Sequence, residues 1–369
     1  MSVKFLSTNQ PDLFFEDNPV GRMKKQIWEA SDKQVDKWLA EFGVPSPPEW
    51  CKPGTYIQTT VRHQLEKNRK KNDIVLIPVG SSELHGQHTV SAMDTLFVTG
   101  ICEGVRRYTA KQGRAVNITI PALHYGCHPY HHLGMAGTYI IRETIAKEFL
   151  IDVMLGLYND GFRKQILINN HGQLWVLESA IQQFCKRYQL PGLFRVIDWH
   201  RATREFWRTK EFGGKFDTTF IHADEAETSV GLLMFPDMVD MSKAVETEPK
   251  MLMPGGHMDT SVDAYSRPSR WSECEGHAAI EIAGTPEGVV GKPTLGDAEK
   301  AKRPVLAIMK YLVLLIDEIL EAFPPGKVPP TEKVSLRDPK ELEPYLREPM
   351  SKGWKSVYAL PQVGPFHTM

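Results

Sequence analysis

The chain has 369 residues, 41% of them hydrophobic, which is enough to bury the core of one large domain or of two small ones. Its 44 basic and 45 acidic residues nearly cancel, which argues against a nucleic acid or an anionic membrane as partner, because either normally requires a basic excess. The first residues are too polar for a signal peptide, and the densest apolar run, Tyr311–Ile316, is far shorter than the roughly 20 residues that span a bilayer. The five cysteines are scattered and odd in number, which predicts reduced thiols and a cytoplasmic location.

The two ends of the chain differ in pattern from its middle. A helical pattern covers Met23–Glu41, and the helix-breaking run Pro45–Trp50 follows it. We predict that residues 1–70 form an N-terminal extension packed on the main domain. The many prolines and charges of residues 326–369 predict an irregular C-terminal arm.

Between residues 71 and 325, short apolar runs alternate with long helical patterns. The apolar runs predict strands at Ile74–Val79, Val116–Ile120, Gln165–Ile168 and Leu193–Ile197. Apolar residues at helical spacing predict helices at Thr95–Ala110, Ile141–Asn159, Leu174–Leu190 and Asp297–Ala322. This alternation is typical of an α/β protein with a mostly parallel central sheet flanked by helices. In such sheets, ligands collect at the carboxyl ends of the strands.

The densest group of potential metal ligands lies where the first of these strands ends. Glu83 and His85 are two positions apart, so their side chains point to one side if the backbone stays extended. Asp94 follows just before the next helix, where the helix dipole favours a carboxylate. Such a set of oxygen and nitrogen ligands is suited to zinc, manganese or iron. The alternative is that Asp94 only caps its helix and that His85 is an ordinary loop histidine.

Two further groups follow later in the chain. His171 stands at the end of the third strand in the sequence NNHGQ, where a tight turn would explain the asparagines and the glycine but not the histidine. His222, Glu225 and Glu227 open a helix that becomes apolar at Val230. An acid-rich first turn is also typical of ordinary helix capping, in which case these carboxylates have no function in catalysis.

Histidines and tyrosines also alternate in one loop, at His124, Tyr125, His128, Tyr130, His131 and His132. The spacing of the histidines fits no closed metal site. We therefore predict a loop that faces the substrate rather than a second metal centre.

These groups, in this order, resemble the creatininase family. The matching stretches are VGSSELHGQHTVSAMD at 79–94, NNHG at 169–172, HADEAETS at 222–229, FPDMVDMSKA at 235–244 and the loop at 125–138. Three separated motifs in one order are far more specific than any of them alone. The resemblance implies a creatininase-like layered α/β fold, a catalytic domain at residues 71–325, and a closed homo-oligomer such as a hexamer.

The resemblance also implies a centre with one or two divalent ions, and it carries roles to individual positions. It assigns Glu83 and His171 to one ion, His85 to the other, Asp94 as the bridging carboxylate, Glu227 as a further metal-site carboxylate, and His222 and Glu225 as catalytic residues near the proton transfers. One position departs from the pattern, since creatininase itself has a glutamate ligand where this chain has Gln173. That change makes creatinine an unsuitable substrate. Either another carboxylate, that of Glu227 or Glu225, completes the second ion, or this ion binds weakly.

What the resemblance implies about function is hydrolysis of a small polar cyclic substrate by a metal-activated water. The leading prediction is cleavage of a carbon–carbon bond in an oxidised inositol such as 3-dehydro-scyllo-inosose. One alternative is an amidohydrolase that acts on a cyclic amide or a formamide. The other is a metal-stabilised structural protein without catalysis.

Overall fold

The computed structural model describes residues 4–9, 14–31, 33–35, 37, 51–127, 134–248 and 287–363. These divide into two compact units, one within residues 1–53 and the other within residues 54–369. The first unit contains the antiparallel strands β1 (Phe5–Ser7) and β2 (Phe14–Glu16), followed by helix α1 (Pro19–Glu29). Helix α1 begins earlier than predicted because Asn18 accepts a hydrogen bond from Gly21 N–H, and because Pro19 suits the first helical position.

Part of the predicted N-terminal extension lies outside the described residues. This is true of Trp38 and of the breaker run at residues 45–50. The packing of an extension on the main domain therefore stays a prediction. The second unit begins before residue 70, and its first helix is α2 (Arg62–Arg69).

The second unit is built around a four-stranded parallel sheet, as the sequence predicts. Its strands are β3 (Ile74–Val79), β4 (Asn117–Ile118), β5 (Lys164–Asn169) and β6 (Leu193–Asp198), in the order β4-β3-β5-β6. All three neighbouring pairs are parallel. The α/β class with a mostly parallel central sheet is therefore confirmed.

Long helices cover both faces of this sheet. They are α3 (Met93–Lys111), α4 (Glu143–Asn159), α5 (Leu174–Tyr188), α7 (Glu225–Met234) and α8 (Ala298–Ala322), with the single turn α6 (Trp199–Ala202) between α5 and α7. The four helices predicted between residues 71 and 325 all occur, with ends that differ by up to two residues. The helix predicted at Met23–Glu41 is wrong in its bounds, because α1 already ends at Glu29.

Alternate residues of the central strands feed two separate apolar cores. Ile74 and Leu76 of β3 pack in one core with Phe97 of α3 and Ile308 of α8. The intervening residues of β3 pack in the other core with α4 and α5. Strand β3 is buried along its whole length, because successive side chains point to opposite faces and each face is covered by helices.

The register of the sheet brings three strand ends to one level. Val79 pairs with Asn169, and Asn169 pairs with Asp198. The segments that follow β3, β5 and β6 therefore leave the sheet at the same edge. This alignment brings residues that are distant in sequence into one site.

The C-terminal segment carries two short helices, α9 (Thr331–Val334) and α10 (Pro339–Leu346). Asp338 caps α10 and Pro339 occupies its first position, which explains a helix within a proline-rich segment. Apolar residues of this segment, including Leu342 and Leu360, are buried in the core formed by α4 and α5. Within the described parts of the chain, no helix combines the length and the apolar character needed to cross a bilayer.

Candidate metal centre

The loop after β3 carries two of the predicted site residues. Glu83 and His85 are each only 1% exposed, and Glu83 N–H donates to the carbonyl of Ser91 at 2.9 Å. This bond folds the loop back toward the start of α3. Asp94 lies in the first turn of α3 and is 2% exposed. The loop and the helix together bring these three side chains into one buried group.

The segment after β5 adds His171 to the group. His171 Nδ1 lies 2.9 Å from Asp94 Oδ2 and 3.3 Å from Glu83 Oε2. The preceding residue, Asn170, donates from Nδ2 to Asp94 Oδ1 at 2.7 Å, while its own oxygen accepts a hydrogen bond from the Trp199 indole. Asp94 is thus oriented by a hydrogen-bond chain that begins in α6.

The start of α7 completes the group. His222 Nε2 lies 3.5 Å from Glu83 Oε1, and Glu227 Oε2 lies 3.5 Å from His85 Nε2. Between them, Ala223 has a φ of +49°, which is rare for a residue with a side chain. Its N–H donates to Glu227 Oε2 at 2.5 Å, so this backbone conformation directs a donor at the carboxylate.

Hydrogen bonds to carbonyl oxygens orient two of the histidine rings. His85 Nδ1 lies 3.0 Å from the carbonyl oxygen of Glu83, and His222 Nε2 lies 2.9 Å from that of Leu84. Because a carbonyl oxygen can only accept, the proton resides on these nitrogens in the neutral rings. The opposite nitrogen, Nε2 in His85, keeps its lone pair and faces Asp94 Oδ1 at 3.8 Å. Histidines that bind metals are commonly held in this way.

Among the described residues, three sets of side chains have ligand atoms within 4.8 Å of one another. The sets are Glu83 with Asp94 and His171, His85 with Asp94 and Glu227, and Glu83 with His85 and His222. Asp94 belongs to the first two sets. This arrangement can hold two ions with one shared carboxylate.

The charge of the group also fits a divalent cation. Three carboxylates, those of Glu83, Asp94 and Glu227, are at most 7% exposed and lie around one centre. Burial disfavours the charged form of a carboxyl group, and neighbouring carboxylates add repulsion. Burial alone would raise the pKa of Asp94, but the His171 and His85 imidazoles outweigh it and keep that pKa below its usual value. A cation at the centre would offset the remaining repulsion.

Glu225 is not brought into this group. Its carboxylate accepts hydrogen bonds from the N–H groups of Asp217 and Thr218 at 2.8 to 3.0 Å, and it forms an ion pair with Lys300 of α8. Glu225 therefore faces away from the ligand sets, although it lies only two positions before Glu227.

Gln173 also points elsewhere. Its Nε2 donates to the carbonyl of Gly80 at 2.9 Å, and its Oε1 accepts from the N–H of Cys127 at 3.1 Å. The amide thus joins the end of β3 to the loop around residue 127. It acts as a structural link between these two segments.

The loop of histidines and tyrosines is described only in part. The rings of His124 and Tyr125 contact each other with their centroids 4.5 Å apart and their planes tilted by 53°, and Tyr125 is exposed. The remaining members, His128, Tyr130, His131 and His132, lie outside the described residues.

A cavity that opens to solvent lies beside the ligand group. Its lining includes the ligand group, Glu83, Asp94, His171, His222 and Glu227, and a second group made of Trp175, Asp198, His200, Arg201 and Phe220. The second group was not predicted from the sequence. The signal was nevertheless present, because Asp198, His200 and Arg201 stand at the end of a parallel strand, as His171 does.

Two buried histidines beside the centre were also missed. His88 Nε2 lies 3.0 Å from Thr228 Oγ1 of α7, and burial together with His85 lowers the pKa of His88 to about 4. Burial likewise lowers the pKa of His200 to about 4, despite the opposing effect of Asp198. Both rings are therefore neutral at pH 7.

The comparisons with known proteins agree with this geometry. The creatininase family, described as creatinine amidohydrolase, matches residues 58–316. The chain is similar to a 3-dehydro-scyllo-inosose hydrolase from Thermotoga maritima, with 43% identity over 305 residues that cover 83% of this chain and 96% of that protein. It is also similar to a creatinine amidohydrolase from Pseudomonas putida, with 22% identity over 196 residues, or 49% of this chain and 72% of that protein.

Solved structures show the same fold. A manganese creatininase aligns over 74% of this chain and its own full length, with a TM-score of 0.55 and 18% identity. A putative creatinine amidohydrolase from Bacteroides fragilis aligns over 73% of this chain and 97% of its own length, with a TM-score of 0.54 and 20% identity. The match of the family to most of the chain decides the classification. This protein belongs to the creatininase family of metal-dependent hydrolases.

Proposed function

We propose that this enzyme hydrolyses a carbon–carbon bond in an oxidised inositol ring such as 3-dehydro-scyllo-inosose. The observation that carries the proposal is the shared carboxylate of Asp94, which joins two ligand sets at the wall of an open cavity. The 43% identity to the hydrolase from Thermotoga maritima supports the choice of substrate. A substrate other than creatinine is supported by Gln173, a neutral amide that bonds to Gly80 and Cys127 where creatininase itself has a glutamate ligand.

In this proposal, Glu83, Asp94 and His171 hold one divalent ion, and His85, Asp94 and Glu227 hold the other. These oxygen and nitrogen donors suit zinc, manganese or iron. A divalent ion held by these residues would supply Lewis-acid chemistry, which typically makes water available as a nucleophile near pH 7. We further propose that the enzyme is a closed homo-oligomer.

The residues of the cavity then direct the proton transfers. We assign His222 as the proton carrier, because it lines the cavity and its Nδ1 keeps a lone pair when Nε2 binds Leu84. Glu225, the other candidate from the sequence, is paired with Lys300 and does not line the cavity. General acid–base help from one such group is typically worth about 10² to 10⁴ in rate.

The proposed substrate is a ring with two carbonyls separated by one carbon. A water oxygen adds to one carbonyl carbon, and His222 takes a proton of that water. The bond between this carbonyl carbon and the central carbon breaks, and its electron pair forms the enolate of the second carbonyl. His222 then returns the proton to the central carbon, which gives an open-chain keto acid.

The test combines metal analysis with turnover. We expect the wild-type protein to contain bound divalent metal and to release acid from 3-dehydro-scyllo-inosose. We expect Asp94→Asn to lose bound metal and to lower the rate at least about 10³-fold, because the shared carboxylate serves both ligand sets. Asp237→Asn, at an exposed aspartate, is the matched control and should keep both properties. Metal binding with turnover of creatinine or another cyclic amide instead would overturn the choice of substrate.

A further inference from the structure

The cavity contains a cationic side chain that has no role in the reaction proposed above. Its lining includes four carboxylates, those of Glu83, Asp94, Asp198 and Glu227. Among the described lining residues, the permanently charged cation is Arg201. A charge of this kind, in a site otherwise rich in carboxylates, is suited to bind an anionic group of a ligand.

The backbone around Arg201 is held firmly to the sheet. Arg201 lies in the single turn α6, and its N–H donates to Asp198 Oδ1 at 3.1 Å. The other oxygen of Asp198 accepts from Asn169 Nδ2 at 3.0 Å, at the end of the neighbouring strand. Asp198 thus ties α6 to the strand that leads to His171. A side chain on a rigid element can be positioned for the transition state without a large entropic cost.

The chemistry of ring opening creates an anion at a distance from the attacked carbonyl. When the carbon–carbon bond breaks, negative charge passes to the oxygen of the second carbonyl. The carboxylates of the centre would repel this charge at close range. A planar guanidinium can bind an oxyanion with two charge-assisted hydrogen bonds, and it gains strength as charge develops.

We propose that Arg201 binds the second carbonyl oxygen of the substrate and stabilises the enolate that forms on it. Arg201 is then a specificity-determining residue, which selects rings with two carbonyls over rings with one. This inference rests on the proposed function, since it concerns the same reaction.

The test uses a ligand that carries the enolate charge without being a substrate analogue rich in hydroxyls. 1,3-Cyclohexanedione is largely ionised to its enolate at neutral pH, whereas cyclohexane-1,3-diol is uncharged. Binding of both to the metal-loaded protein would be measured by calorimetry. We expect Arg201→Gln to weaken binding of the dione by about tenfold or more, the range of a lost charge-assisted hydrogen bond. Binding of the diol and metal content should stay unchanged.

Two further variants make the result specific. Arg195→Gln removes an exposed arginine of β6 and should leave the affinity for the dione unchanged. Arg201→Lys keeps the charge but not the planar fork, so its affinity should fall between those of the wild type and Arg201→Gln. It also provides the decisive reading if the glutamine variant does not fold.

The inference and the proposed function can fail separately. If the wild-type protein does not bind the dione, or if the Arg201 variants bind it as tightly as the wild type, the anion subsite is overturned. If binding depends on Arg201 but 3-dehydro-scyllo-inosose is not turned over, the subsite stands and the choice of substrate fails.

Discussion

Glu225 and Glu227 lie in the same first turn of α7, yet their surroundings are opposite. Glu225 is fully buried against Lys300 and the backbone of residues 217–218. Glu227 faces His85 at 3.5 Å and His222 at 3.9 Å, beside two other carboxylates of the metal centre. Lys300 supplies a cation for Glu225, whereas Glu227 faces ring nitrogens of His85 and His222 within the proposed metal centre. In our proposal, the first carboxylate serves stability and the second serves metal binding.

The largest effect that this comparison predicts is on Glu227. We expect Glu227→Gln to lose about one metal ion per chain and to lower kcat/KM by about 10³, since a neutral amide is a poor ligand for a divalent cation. The metal-free variant should unfold at the same denaturant concentration as the wild type or higher, because the substitution removes a buried negative charge. Metal analysis measures the loss of the ion, and denaturant unfolding measures the stability of the metal-free variant. A variant with full metal content would show that Glu227 is not a ligand.

Glu225 should show the reverse pattern. We expect Glu225→Gln to keep its metal and to lower the free energy of unfolding by about 3 kcal/mol, since Lys300 loses a buried partner. The loss is at the lower end of the range for such pairs because Asp217 still lies 2.9 Å from Lys300.

Two controls separate the pair from general effects at this position. Glu299→Gln, at an exposed glutamate, should change stability by less than about 0.5 kcal/mol. The double variant Glu225→Gln with Lys300→Met should be more stable than the sum of the single variants predicts. If Glu225→Gln loses metal at unchanged stability, the two glutamates have been assigned in the wrong order.

The smallest effect concerns His88, which contacts α7 at Thr228. Its pKa is lowered to about 4 in the folded protein, so the unfolded chain binds a proton more readily between pH 6.5 and 4. The stabilising contribution is complete above pH 6.5 and is lost as the pH falls through this window. As the pH falls through this window, we expect the free energy of unfolding of the metal-free wild type to decrease by up to about 1 kcal/mol per pH unit more than that of His88→Gln. The control variant His63→Gln, at an exposed histidine, should have a free energy of unfolding that changes with pH as that of the wild type does. The same pH dependence in His88→Gln as in the wild type would contradict the prediction.

The sequence predicts the sheet and most helices because their signals are local. Strand β3 is a short apolar run closed by a glycine, and its predicted bounds agree with the structure. The grouping of Glu83, Asp94 and His171 also follows from a simple rule, because ends of parallel strands meet at one edge. The same rule applied to β6 would have included Arg201 among the candidates.

The opposite orientations of Glu225 and Glu227 could not be predicted in the same way. Residues two apart on a helix face different sides, but the sequence does not say which side holds the metal centre. Lys300 lies 75 positions further along the chain, so nothing local marks it as the partner of Glu225. The partners of Gln173 could not be predicted either, because tertiary packing determines them. In the sequence motif, Gln173 stands where creatininase itself has a metal ligand, but in the structure its amide bonds to Gly80 and Cys127.

The hydrogen-bond chain from Trp199 through Asn170 to Asp94 has a consequence for how such enzymes change their substrates. Trp199 and Arg201 lie two positions apart on one turn, and Trp199 is linked through Asn170 to Asp94, the shared carboxylate of the proposed centre. Evolution or design can therefore replace the residue at position 201 to bind a different substrate ring without disturbing the proposed metal ligands. A replacement at position 199 would alter both substrate binding and metal binding, and we expect it to be tolerated far less often among related enzymes.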